Sequence, residues 1–124
     1  LQVARASAKL SEARQIGSHK ALALRLDGVP GRELRAVAET LRDTLGSGVL
    51  VLAALDGAKV SLLVATSSDL TDRVHSGKLV GELASFVGGR GGGRPDIAQA
   101  GGSDASGVDA AIDAFYHAVE AALT

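Results

Sequence analysis

The stretch Val49-Leu50-Val51-Leu52-Ala53-Ala54-Leu55-Asp56-Gly57-Ala58-Lys59-Val60-Ser61-Leu62-Leu63-Val64-Ala65-Thr66 decides the fold. Val49–Leu55 is apolar without a break, the mark of a strand covered on both faces. Asp56-Gly57 predicts a tight two-residue turn, and Ala58–Thr66 is the returning strand. So short a connection makes the pair antiparallel.

Upstream, Leu22, Leu24 and Leu26 alternate within Ala21–Leu26, which reads as a strand with one buried face. Asp27-Gly28 and Pro30-Gly31 punctuate its end. Leu34, Val37, Ala38, Leu41 and Leu45 then form a helical stripe, stopped by Gly46 and Gly48. Val3, Ala6, Leu10 and Ala13 follow the 3-4 spacing of a helix seam, with Gly17 as its stop. An uncapped helix at the first residue suggests a piece of a longer chain, so 1–17 is expected to end a helical segment and 18–124 to be the globular domain. The seam could pair with a second copy or pack on other parts of the parent protein.

Downstream, Ser67–Val74 reads as a polar turn or short helix with Ser68 as cap. Ser76 is the expected cap of a helix burying Leu79, Val80, Leu83, Phe86 and Val87, and Gly81 in its middle implies a close contact. Ile97–Gly101 is a short strand, and Val108–Leu123 closes the chain as a helix with Val108, Ile112, Phe115 and Val119 on one face. The expected class is α/β, more strictly α+β: a mixed sheet of about four strands with a central antiparallel hairpin, helices packed on it and an N-terminal helix.

Composition excludes several functions. Cysteine is absent, so disulfides, thiolate zinc sites and cysteine nucleophiles are excluded. No apolar run approaches the ~20 residues of a membrane-spanning helix. With only Phe86, Phe115 and Tyr116 as aromatics, a base-stacking platform is not expected. The formal net charge of −1 excludes a uniformly basic surface. It hides an asymmetry: residues 1–94 carry a balance of +4 and residues 95–124 one of −5.

No catalytic constellation is visible. His19, His75 and His117 lie in separate elements, and none has a His or Cys at i+3 to i+5, so no metal site is expected. Asp69 and Asp72 read as acids of a first helical turn.

The segment that invites a ligand is Gly88-Gly89-Arg90-Gly91-Gly92-Gly93-Arg94-Pro95-Asp96. So many glycines cost conformational entropy and are tolerated where φ is positive or another molecule approaches the backbone. Read as a loop, its amides would form an anion nest flanked by Arg90 and Arg94, whose planar forks match phosphate. A flexible connection with two solvated arginines is the alternative. Asp96 would orient an arginine, cap the loop or accept from a sugar hydroxyl. Neither a Walker loop nor a dinucleotide fingerprint fits, because no Lys-Ser or Lys-Thr occurs and a helix precedes the glycines.

Gly88–Gly102, GGRGGGRPDIAQAGG, resembles the signature near the C-terminus of bacterial alanyl-tRNA synthetases, departing by Ile97 where Met is usual. Lys59-Val60-Ser61-Leu62, Thr71-Asp72-Arg73-Val74 and Gly77-Lys78-Leu79-Val80-Gly81 are similar to that family too. The likeness covers residues 20–124, and 1–17 resemble the end of the preceding helical segment. DHH phosphoesterases share this DHH-associated domain but tend to follow the glycines with His, where this chain has Arg94-Pro95.

The resemblance implies a non-catalytic, cytoplasmic tRNA-binding domain that contacts the elbow of tRNA(Ala) and helps deliver it to the aminoacylation and editing sites. ATP, Mg and Zn would belong to other domains of the parent chain, leaving no cofactor here. The expected RNA contacts are Arg90, Gly91, Gly92, Gly93 and Arg94, extended by Arg73, Lys78 and Gln99. Gln99 has a competing role in satisfying backbone groups. Self-association through Val3, Ala6, Leu10 and Ala13 is one alternative, and an RNA- or nucleotide-binding domain of a DHH phosphoesterase is another.

Overall fold

In a computed structural model, which describes residues 12–124, the decisive hairpin lies at the centre of a six-stranded mixed sheet. Its strands are β1 (Arg14–Ile16), β2 (His19–Asp27), β3 (Gly48–Asp56), β4 (Lys59–Thr66), β5 (Arg90–Gly93) and β6 (Ile97–Gly102), in the order β1-β2-β3-β4-β6-β5. Three helices, α1 (Leu34–Leu45), α2 (Ser76–Ala84) and α3 (Val108–Leu123), pack on it. Among the described strands only β2 and β3 pair in parallel, because α1 returns the chain between them.

The expected α+β class and mixed sheet hold, but the sheet has six strands rather than about four. One extra strand is β1. The expected helix does not reach Gly17: Arg14–Ile16 pairs antiparallel with His19–Ala21, and Gly17, at φ +63°, turns the hairpin between them. A positive-φ glycine serves a tight turn as readily as a helix stop. The other extra strand is β5, the glycine run itself.

Period-two alternation assigns the sheet's two faces. Leu22, Leu24, Leu26, Leu50, Leu52, Leu63 and Ile97 meet Leu34, Val37, Ala38 and Leu41 of α1. On the other face, Val49, Val51, Val60, Leu62, Val64, Ala98 and Ala100 meet Val80, Leu83, Phe115 and Val119 of α2 and α3. The unbroken apolar run of β3 follows from that double coverage. Phe115 is fully buried and contributes roughly 1.5–3 kcal/mol by area removed from water.

Several local expectations shift. The hairpin turn is Gly57-Ala58, one residue later than Asp56-Gly57, since Asp56 still pairs with Lys59; Gly57 supplies the positive φ of +63°. Ser68 is not a cap: it opens a 3-10 turn, Ser68–Leu70, whose flanking residue is Ser67, and the Ser67 hydroxyl instead accepts from the Gly48 amide at 3.0 Å. Ser76 does not cap α2 either; the His75 Nδ1 does, accepting from the Lys78 amide at 3.2 Å. Ser76 is buried, its hydroxyl 2.8 Å from that of Thr66. Phe86 is 42% exposed, because a 3-10 turn at Ser85–Val87 breaks the helical period that would have buried it.

Tyr116 closes part of an open sheet edge. β1 is too short to pair beyond Ala21, and the Ala23 amide donates to the Tyr116 hydroxyl at 3.0 Å. The Arg14 guanidinium lies 3.7 Å from the centre of the same ring. Val3, Ala6 and Leu10 of the expected seam lie outside the described residues; Ala13 is half-buried against the α1-side core. Among the described residues no helix is long and apolar enough to cross a membrane.

Candidate nucleic-acid interface

The glycine segment is an exposed edge strand, not a nest. Consecutive amides of a strand point in alternate directions, so they cannot converge on one anion. Only Gly88 (φ +66°) and Gly93 (φ +155°) within it have positive φ. The other glycines answer mainly to close packing. A methyl on Gly89 would overlap the Gly101 carbonyl, and one on Gly91 would overlap Ala100. Gly77 and Gly81, one turn apart on α2, lie against the Gly93 and Gly91 carbonyls. The close contact expected at Gly81 is therefore present: an added Cβ would be 3.2 Å from the Gly91 oxygen.

The turn that follows is fixed by its carbonyls. Those of Arg94 and Pro95 accept from the Gly77 and Ser76 amides at 3.1 and 2.9 Å. The Asp96 carbonyl accepts from the Thr66 amide at 2.9 Å and from Arg42 Nη1 at 3.0 Å. With His75 bonded to the Lys78 amide, the first-turn amides of α2 are engaged. The Asp96 carboxylate lies 4.0 Å from Arg42 and orients neither Arg90 nor Arg94.

Arg90 and Arg94 are exposed, and the ion pairs among the described residues involve Arg25, Arg35 and Arg42 instead. Gln99, on β6, donates through Nε2 to the Gly31 carbonyl at 3.1 Å, which ties a 3-10 turn at Gly31–Glu33 to the sheet. Its competing role, satisfying backbone, is the one it fills. Arg73 and Lys78 line a different place, a cleft of about 280 Å³ with His75, Glu82 and α3 residues Ala118 and Ala122. The structure thus brings Arg90, Gly91–Gly93 and Arg94 together and leaves Arg73 and Lys78 at the cleft shared with α3.

A second depression, about 340 Å³, is lined by Arg42, Thr66, Ser67, Asp69 and Asp96 among others. Beside it runs a chain that residue spacing did not reveal: His19 Nδ1 lies 2.8 Å from Ser47 Oγ, which donates to Asp69. Hydrogen bonds from the Ser47 and Ser67 side chains hold the Asp69 carboxyl below the usual aspartate range. The serine sits between histidine and acid and donates its hydroxyl hydrogen bond to the acid rather than to the histidine, the reverse of an activated nucleophile. Among the described residues no group of three His, Asp or Glu could hold a metal ion.

Known proteins resemble this chain in sequence and in fold. The family description "DHHA1 domain" matches residues 18–121. An "Alanine--tRNA ligase" of Solibacter usitatus (strain Ellin6076) is 47% identical over 113 residues, 91% of this chain and 13% of that protein. An "Alanine--tRNA ligase" of Anaeromyxobacter dehalogenans (strain 2CP-C) is 50% identical over 101 residues, 82% of this chain and 11% of that protein. The chain therefore spans about an eighth of the length of these relatives. The crystal structure of the C-Ala domain from Aquifex aeolicus alanyl-tRNA synthetase superposes with a TM-score of 0.81 and 25% identity, over 87% of this chain and 97% of that one. With the family's description matching residues 18–121, the chain belongs to the DHHA1 domain family.

Proposed function

We propose that the chain is the non-catalytic tRNA-binding domain of an alanine-tRNA ligase, contacting the elbow of tRNA(Ala) and helping to deliver it to the parent enzyme's aminoacylation and editing sites. One observation carries the reading: two arginines, without carboxylate partners among the described residues, stand exposed at either end of a glycine strand in a chain whose formal net charge is −1. Such side chains suit phosphate oxygens, which position a nucleic acid without reading its sequence. The 47% and 50% identities to alanine-tRNA ligases favour this role over that of a phosphoesterase substrate domain.

Filter binding of the chain to tRNA(Ala) across a salt series tests it. Binding should weaken with a slope of about 0.7–0.9 in log K per neutralised phosphate. A double Arg90→Ala/Arg94→Ala variant should lose affinity and slope together, and a tRNA lacking the elbow should bind as weakly as that variant does. A flat salt response, or full affinity in the double variant, overturns the proposal.

A further inference from the structure

The sheet's cross-strand register divides the β5–β6 ribbon into two unlike faces. On the α1 side, one row of paired residues runs Leu26, Ala54, Ser61, Gly101, Arg90, and the next runs Leu24, Leu52, Leu63, Gln99, Gly92. Each row begins in the core beneath α1 and ends in exposed residues at the β5 edge. The sheet therefore extends past α1 and leaves a shelf. On the opposite face the same strands carry Ala98, Ala100, Gly91 and Gly93, covered closely by Gly77 and Gly81 of α2. One face of the β5–β6 ribbon is open and the other is closed.

Gly101 is the informative residue of the shelf. Its φ is not positive, and an added Cβ would meet only the Val60 carbonyl, at 3.9 Å. Neither backbone conformation nor packing within the chain requires glycine there, although glycine weakens a strand interior. A strand glycine with open space above it gives another molecule's backbone room to approach closely. Cations border this place. Arg90 shares the row; Lys59 lies two residues from Ser61 and hence on the same face; Arg32 follows Gly31, which Gln99 ties to the sheet. Asp56, opposite Lys59, is the carboxylate contributed to this face by the strands. The layer behind the other face includes α3, with Asp109, Asp113 and Glu120 and no Lys or Arg.

We infer that the α1-side shelf of the β5–β6 ribbon, floored by Gly101 and bordered by Arg32, Lys59 and Arg90, is the surface that receives the RNA sugar–phosphate backbone. The inference rests on the tRNA-binding reading and sharpens it: Arg32 and Lys59 are contact residues, whereas Arg73 and Lys78 are not.

Fluorescence anisotropy with labelled tRNA(Ala) tests it on the intact chain. Gly101→Val should block the shelf and weaken binding about tenfold, the factor for one lost charge-assisted contact. Arg32→Ala and Lys59→Ala, both at exposed positions, should each weaken binding and lower the salt slope by about one. Arg73→Ala/Lys78→Ala should bind like the parent chain. The two alanine variants keep the test decisive should Gly101→Val misfold. If the parent chain binds tRNA and Arg32→Ala and Lys59→Ala bind equally well, the shelf is overturned while the tRNA role stands. If the parent chain does not bind tRNA, the role fails and the shelf with it.

Discussion

Gly77, in the first turn of α2, lies so close to Gly93, at the end of β5, that a methyl group on Gly77 would overlap the Gly93 carbonyl. This contact lets a helix rest on a bare peptide ribbon and makes the ribbon part of the fold. Replacing a helical glycine by alanine ordinarily gains about 1 kcal/mol. Gly77→Ala should instead cost about 1–3 kcal/mol, as overpacking does, seen as a lower urea midpoint with an unchanged slope. Gly81→Ala, with 3.2 Å of clearance to the Gly91 oxygen, should cost less.

Arg42 ties the end of α1 to the β5–β6 turn through the Asp96 carbonyl, at 3.0 Å. Arg42→Ala should destabilise the chain by about 1–2 kcal/mol, since the bond is charge-assisted and its guanidinium half-buried. Amide exchange at Thr66, which donates to the same carbonyl, should quicken more than exchange elsewhere in β4.

Tyr116→Phe removes the acceptor for the Ala23 amide while keeping the ring under Arg14. The loss should be about 1 kcal/mol, with faster exchange at Ala23. The variant should also self-associate more readily on light scattering, because an unpaired strand edge is a template for another strand.

The Asp69 carboxyl is held below its ordinary range by the Ser47 and Ser67 side chains. A group whose folded-state pKa is depressed adds stability above its unfolded value and loses it as pH falls through the folded value. Asp69→Asn should therefore flatten the fall in melting temperature below about pH 4. Ser47→Ala should do so partly, since Ser67 remains.

The central sheet and three helices were legible because their residues obey a period: Leu22, Leu24 and Leu26 by twos, and Leu34, Val37, Ala38 and Leu41 by threes and fours. β5 was not, because Gly91–Gly93 have no side chains to alternate and glycine is depleted in strands. β1 was hidden by the two uses of a positive-φ glycine at Gly17. For the site, Arg90 and Arg94 stood out through their glycine neighbours. Arg32 and Lys59 lie far from them in sequence and join the same face only through the register and the Gln99–Gly31 bond. The grouping of Arg73 and Lys78 with the glycine run came from nearness along the chain, whereas in the fold they line a cleft with Ala118 and Ala122 of α3.

Arg94, Pro95 and Asp96 turn three successive carbonyls toward α2, β4 and α1. Four donors from three separate elements therefore grip this one turn by its main chain. The turn is held by its main-chain oxygens, independently of the Arg94 side chain, so a neutral residue at position 94 would remove the charge and leave the path of the chain unchanged.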